Sequence, residues 1–159
     1  MTNEAARDLL GALLDAWAAR DPACVAGLFD GDDAAAGYLD AGEIDPWIGV
    51  AAIERAAVRK CSKHARFAFK IHAPQTRHLA DDLASVFALV DRAEAEKDGD
   101  PLEAQRVRIT LVARRRGADW KICHYAEAPK APLIELEAYY QGIAADGLEA
   151  APPRPWGPP

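Results

Sequence analysis

The spacing of apolar residues changes near residue 66 of this chain, from the period of a helix to that of a strand. Before that point apolar residues recur every three or four positions, over residues 3–20 and again over 50–61. After it they alternate with polar residues, as Phe67, Phe69 and Ile71 do. Helices followed by a run of strands predict an α+β fold, in which N-terminal helices lie across the open side of a curved antiparallel sheet. Such a cone-shaped arrangement encloses a cavity.

Local signals divide the chain further. A second helix is expected to begin at Asp21, with aspartate as its cap and proline in its first turn. Pro74 is expected to end the first long strand. The predicted strands cover residues 37–40, 66–73, 79–92, 106–113 and 120–127. A C-terminal helix is predicted over 132–148, so residues 1–148 form one domain and 149–159 a proline-rich tail.

Composition narrows the classes of function. The formal net charge of −6 disfavours a nucleic-acid partner, because phosphate binding needs a basic surface. No apolar run approaches the ~20 residues of a membrane span, and the acidic N-terminus is unlike a signal peptide. Three cysteines without metal-binding spacing, and the absence of a glycine-rich phosphate loop, indicate no metal and no cofactor. These features predict a cytoplasmic protein.

The segment Arg106–Ala128, RVRITLVARRRGADWKICHYAEA, resembles the closing hairpin of nuclear-transport-factor-2-like (NTF2-like) domains. This superfamily includes SnoaL-like polyketide cyclases, ketosteroid isomerases and the association domain of calcium/calmodulin-dependent kinase. Trp120, Ile122 and His124 match its last-strand pattern, whereas Ala126 and Ala128 stand where a second histidine and a serine are usual. The resemblance extends more loosely over residues 4–130 and implies the cone fold, without fixing an activity.

His124 and Asp40 are the candidate catalytic residues. Strict alternation along the last strand places His124 on the inward, more apolar face, where it could act as a general base or hydrogen-bond donor. The alternative is a buried neutral imidazole bonded to a backbone carbonyl or a carboxylate. The resemblance places Asp40 near the cavity opening, where burial is expected to raise its pKa into a useful range. Otherwise Asp40 is a solvated residue at a strand end.

Five further residues are candidates for ligand contact. Tyr38 lies two positions before Asp40 and could donate a hydrogen bond to a carbonyl or enolate. The others are apolar or aromatic, and each is also a natural packing residue. The full ligand-binding set is Trp17, Tyr38, Trp47, Trp120 and Ile122.

Two functions remain open. One is a small-ligand-binding domain with an apolar conical pocket, with proton transfer of the isomerase, cyclase or dehydratase type on a small hydrophobic carbonyl compound. The other is a non-catalytic homodimeric association module, joined through the outer sheet face by the doubly apolar strand 79–92, Val112 and Tyr125. A pocket of several hundred Å³ would favour the first. A cone plugged by Trp17, Trp47 and Trp120 would favour the second.

Overall fold

The computed structural model describes residues 4–43 and 45–129, which belong to one compact unit, Met1–Pro129. Its elements are α1 (Glu4–Ala18), α2 (Pro22–Gly27), β1 (Gly37–Leu39), β2 (Trp47–Ile48), α3 (Val50–Lys63), β3 (Arg66–Ala80), β4 (Leu83–Ala95), β5 (Glu103–Arg116) and β6 (Asp119–Pro129). The α+β prediction is confirmed. The predicted helix 132–148 and tail 149–159 lie outside the described residues.

The six strands form one curved, open sheet in the order β2-β1-β6-β5-β4-β3. It is mixed rather than wholly antiparallel, because β1 runs parallel to β6 while the other neighbours are antiparallel. The parallel pair brings the end of β1, just before Asp40, alongside the middle of β6. That pairing positions most of the site described below.

Within the described residues, α1 and α3 form where the periodicity predicts helices, and α2 forms where the Asp21 cap predicts one. α1 buries an apolar stripe that includes Leu10, Leu13 and Trp17. At the start of α2 the Cys24 N–H donates to the Asp21 carboxylate at 2.9 Å, which confirms the predicted cap. No helix within the described residues is long and apolar enough to cross a membrane.

Strand β3 does not end at Pro74, and that prediction is wrong. The strand continues to Ala80 through a register shift between His72 and Gln75, where Ala73 has a φ of 43°. β3 is an edge strand, so a residue without a backbone N–H is tolerated at its bulge. The strand predicted over 79–92 accordingly begins later, as β4.

A bulge in β6 reverses the orientation predicted for its second half. Val112 pairs with His124 and Ala113 with Ile122, so Cys123 is an extra residue that shifts the alternation by one. Tyr125 is therefore fully buried, whereas His124 is exposed. The prediction that His124 faces the interior is wrong.

Candidate functional site

Four charged side chains meet on the inner side of the sheet, one each from α3, β4 and β6 and one from the residue after β1. We call Asp40, Lys60, Arg92 and Glu127 the charged cluster. Arg92 Nη1 donates to Glu127 Oε2 at 2.6 Å and to both Asp40 oxygens at 3.3 and 3.4 Å, and its Nη2 donates to Glu94 at 2.9 Å. Lys60 Nζ donates to Asp40 Oδ2. Three carboxylates, those of Asp40, Glu94 and Glu127, are thus bonded directly to two cations.

Ordinary secondary-structure rules bring these residues together. Arg92 continues the inward face of β4, on which Val86, Ala88 and Val90 are buried. Lys60 follows Ala56 by one helical turn and lies on the buried side of α3. Glu127 faces inward only because of the β6 bulge.

The charged cluster is nearly sealed from solvent. The exposed fractions of the Asp40, Glu127 and Arg92 side chains are 3%, 3% and 7%, and that of Lys60 is 16%. Burial by itself raises the pKa of Asp40, but Arg92 and Lys60 outweigh it and hold that pKa below its ordinary value. The expectation that the pKa of Asp40 is raised is therefore wrong. Asp40 is ionised because two cations are within bonding distance.

Two buried tyrosine hydroxyls complete the surroundings of Glu127. Tyr125 donates to Glu127 Oε1 at 2.8 Å, and Tyr38 donates to the same oxygen at 3.4 Å. The Ala41 N–H donates to the other oxygen at 3.3 Å. Burial and the Glu127 carboxylate raise the pKa of both hydroxyls well above the ordinary value, so both tyrosines are neutral donors.

The interior beside the charged cluster is almost filled by aromatic rings. Trp17 packs edge-on against Tyr38 and Phe67, with ring centroids 5.9 and 5.7 Å apart, and Tyr38 stacks on Trp47 at 4.8 Å. The space that remains is a cavity of about 10 Å³, room for about one water molecule. It is lined by Trp17, Tyr38, Asp40, Lys60, Phe67, Phe69, Arg92, Ala93 and Glu127. We call it the inner cavity.

An open cleft of about 250 Å³ adjoins the same cations. Asp40, Lys60 and Arg92 line both the cleft and the inner cavity, so the two spaces adjoin at these three side chains. The cleft is further lined by Gly42, Glu43, Ala56, Arg59, Lys63, His64, Glu94 and Gln105. Three of the four residues of the charged cluster thus line the cleft, and most of its other lining residues are polar or charged.

The structure brings together only some of the residues singled out from the sequence. Trp17, Tyr38 and Asp40 line the inner cavity, and Trp47 packs behind Tyr38. His124, Trp120 and Ile122 line neither the inner cavity nor the cleft. Ile122 is a core residue with no exposed surface.

Four residues of the site were missed by the sequence analysis. Lys60 and Arg92 did carry a signal, because each is a charged residue at the position where an apolar period requires a buried one. Tyr125 and Glu127 carried none. Their inward orientation depends on a bulge that no local sequence pattern indicates.

A curved sheet covered by N-terminal helices, with polar groups buried inside, defines the class of NTF2-like, cystatin-like domains. Residues 6–131 match the sequence profile of the SnoaL-like domain, and the chain belongs to that family.

Solved structures support the same fold. A protein with a cystatin-like fold from Caulobacter vibrioides is 18% identical, with a TM-score of 0.69 and 88% and 97% of the two chains covered. A ketosteroid isomerase-like protein from Erwinia carotovora atroseptica is 14% identical, with a TM-score of 0.67 and 81% and 96% covered. A hexachlorocyclohexane dehydrochlorinase of type 2 is 15% identical, with a TM-score of 0.69 and 80% and 84% covered. No curated protein matches the sequence significantly.

Proposed function

We propose that this protein binds a small molecule in the cleft and that the charged cluster receives the polar end of that molecule. The observation that carries the proposal is the position of Asp40, Lys60 and Arg92, which are largely buried and yet line an open cleft. Removing charges from water costs free energy, and ionisable groups with shifted pKa values in a cleft are typical of functional sites.

The surroundings of the cleft suggest the kind of ligand. The charged cluster offers polar contacts, and the aromatic rings of Trp17, Tyr38 and Phe67 lie immediately behind it. A small, mainly hydrophobic compound with one carbonyl or hydroxyl group fits both features. The inner cavity is too small for such a compound, so ligand entry requires Lys60 or an aromatic side chain to move.

Proton transfer at carbon is the reaction that we propose for this site, with Asp40 as the base. Two structures of similar fold carry the names of a ketosteroid isomerase and a dehydrochlorinase, and an ionised carboxylate suits chemistry of this general type. Arg92 and Lys60 hold the pKa of Asp40 below its ordinary value, so Asp40 is a weak base in the ligand-free protein. A ligand that draws Lys60 away from Asp40 raises the pKa of that carboxylate and strengthens the base.

Native mass spectrometry of gently purified protein, followed by a thermal-shift screen of small carbonyl compounds, tests the proposal. We expect a bound mass or a stabilising compound whose affinity falls at least tenfold in Lys60→Met. The matched control is Lys70→Met, an exposed lysine on β3 that lines neither the cleft nor the inner cavity. Compounds that bind equally well to wild type and to both variants would contradict the proposed site.

A homodimeric association module is the second candidate, and the outer sheet face favours it. Phe87 is 48% exposed in the middle of β4, next to the half-buried Leu89 on the same face. Its neighbour strand β5 adds Val112 to that face. An apolar patch of this kind on a sheet is typical of a protein interface.

Sedimentation velocity at micromolar concentration tests the association candidate. We expect wild type to sediment at twice the 17.2 kDa chain mass, and Phe87→Glu to sediment as a monomer. Val58→Glu is the matched control, since Val58 is a similarly exposed apolar residue, at 53%, on α3. A wild-type protein that sediments as a monomer would exclude this candidate.

A further inference from the structure

We infer that the inner cavity is a position for one neutral oxygen atom, which accepts a hydrogen bond from the indole N–H of Trp17. A water molecule occupies this position in the free protein, and the carbonyl or hydroxyl oxygen of the ligand replaces it. The second half of this inference rests on the proposed function. The first half concerns the ligand-free protein alone.

Trp17 provides the first observation. Its side chain is 2% exposed and lines the inner cavity, and its Nε1 has no hydrogen-bond partner among the described residues. Buried polar groups nearly always have a partner, so an N–H without one points to an acceptor that belongs in the adjacent space. An indole N–H can only donate, and the missing partner must therefore be an acceptor such as oxygen.

The size of the inner cavity provides the second observation. Its volume of about 10 Å³ matches a single water molecule, and Asp40, Lys60, Arg92 and Glu127 are among the residues that line it. Lys60 Nζ lies 5.7 Å from the centroid of the Trp17 ring. Its ammonium group has three N–H donors, and its bond to Asp40 uses one of them, so Lys60 can provide a second donor to the same oxygen.

Charge balance decides that this oxygen is neutral. Counting Glu94, which Arg92 also binds, three carboxylates are bonded to two cations, so neither cation is left unpaired. An anionic group entering this buried space would lose its hydration without meeting an unpaired cation. A ketone, aldehyde or hydroxyl oxygen has no such penalty. The structure thus favours a neutral polar group at the inner end of the ligand over a carboxylate or phosphate.

Trp120 offers a matched control within the same chain. Its Nε1 is also buried without a partner among the described residues, but Trp120 lines neither the inner cavity nor the cleft. Replacing either tryptophan by phenylalanine removes the N–H and keeps an aromatic ring. Only Trp17→Phe should affect the inner cavity.

A high-resolution crystal structure of the wild-type protein tests the first half without any variant. We expect electron density for one ordered water within hydrogen-bond distance of Trp17 Nε1. An empty inner cavity, or a protein side chain accepting the Trp17 N–H, would overturn the inference.

Titration of ¹⁵N-labelled protein with cyclohexanone and with cyclohexanecarboxylate tests the second half. We expect cyclohexanone to shift the Trp17 indole signal saturably, and Trp17→Phe to weaken its binding roughly 2- to 10-fold, the value of one hydrogen bond. Trp120→Phe should bind it like wild type. Equal ketone affinity in Trp17→Phe, or a carboxylate that binds more tightly than the ketone, would overturn the inference.

The crystal structure and the titration together distinguish a failure of this inference from a failure of the proposed function on which it rests. A carboxylate whose binding depends on Lys60 but leaves the Trp17 signal unchanged would overturn the neutral-oxygen position and leave the cleft as the binding site. An ordered water at Trp17 would sustain the oxygen position even if neither probe bound, and the lack of binding would then count against the proposed function.

Discussion

Replacing Arg92 by methionine tests how the charged cluster contributes to stability. Arg92 is bonded to Asp40 and to Glu127, and all three side chains are at most 7% exposed. Methionine keeps most of the buried aliphatic volume but removes the cation, which leaves Glu127 with hydrogen bonds from neutral donors only. Breaking a buried ion pair by removing one partner costs about 3–5 kcal/mol of unfolding free energy. For a chain of this size we expect a melting temperature lowered by roughly 6–20 °C.

Arg106→Met is the control for this experiment. Arg106 also binds a carboxylate through two nitrogens, at 2.6 and 3.0 Å from Asp91, but it lies on the exposed face of the sheet. An exposed pair contributes little because water solvates and screens both charges. Urea unfolding of both variants, followed by circular dichroism, measures the difference. An Arg92→Met protein as stable as Arg106→Met would refute the reasoning that burial makes the charged cluster costly to disrupt.

The pH dependence of the unfolding free energy gives an independent check on the prediction for Arg92→Met. In wild type Arg92 and Lys60 hold the pKa of Asp40 below its ordinary value, and removing Arg92 takes away the larger of their two coulombic effects. The stability that a depressed pKa provides is present above the unfolded pKa and is lost as the pH falls through the folded pKa. The difference in unfolding free energy between wild type and Arg92→Met should therefore be largest near neutral pH. Adding Glu127→Gln should restore part of the stability.

Three further predictions follow from the same contacts. Deleting Cys123 should lower the melting temperature less than deleting Ala126, and differential scanning fluorimetry compares the two variants. The first deletion removes only the bulge, whereas the second turns the buried Glu127 outward. Tyr125→Phe should lower the unfolding free energy measured in urea by about 1.5–3 kcal/mol, and Tyr38→Phe should lower it less. The hydroxyl of Tyr125 donates to Glu127 at 2.8 Å, whereas that of Tyr38 donates to it at 3.4 Å. Asp40→Asn should have a lower unfolding free energy than wild type above about pH 4, and this difference should shrink at lower pH. The reason is that the pKa of Asp40 is depressed in the folded protein, so its stabilising effect is lost on protonation. A difference that stays constant between pH 3 and pH 7 would contradict this.

The helices were predictable because the residues that determine each helix lie in one continuous stretch of the chain. The spacing of Leu10, Leu13 and Trp17 is enough to predict α1 and the side that it buries. Asp21 predicts the start of α2 for an equally local reason, since the cap bond spans three residues. Pro74 misled because the effect of a proline in a strand depends on whether a partner needs its N–H, and β3 is an edge strand.

The candidate site was predictable only in part. Tyr38 and Asp40 were identified because the resemblance placed their strand at the cavity opening. His124 was misplaced because its orientation was counted from Trp120 by strict alternation, across a bulge that exists only in the pairing of β6 with β5. Once the register shifts by one, every side chain that follows changes face.

The sequence alone determined that helices precede strands, which faces of most elements are apolar, and that the chain resembles NTF2-like domains. Only the tertiary structure decided what lies inside the cone. Residues 40, 60, 92 and 127 are far apart in the chain and come together through the sheet order and one bulge. The inner cavity is small because aromatic rings from separate elements pack against each other. Period and capping depend on neighbours in the chain, whereas charge pairing and the filling of space depend on neighbours in three dimensions.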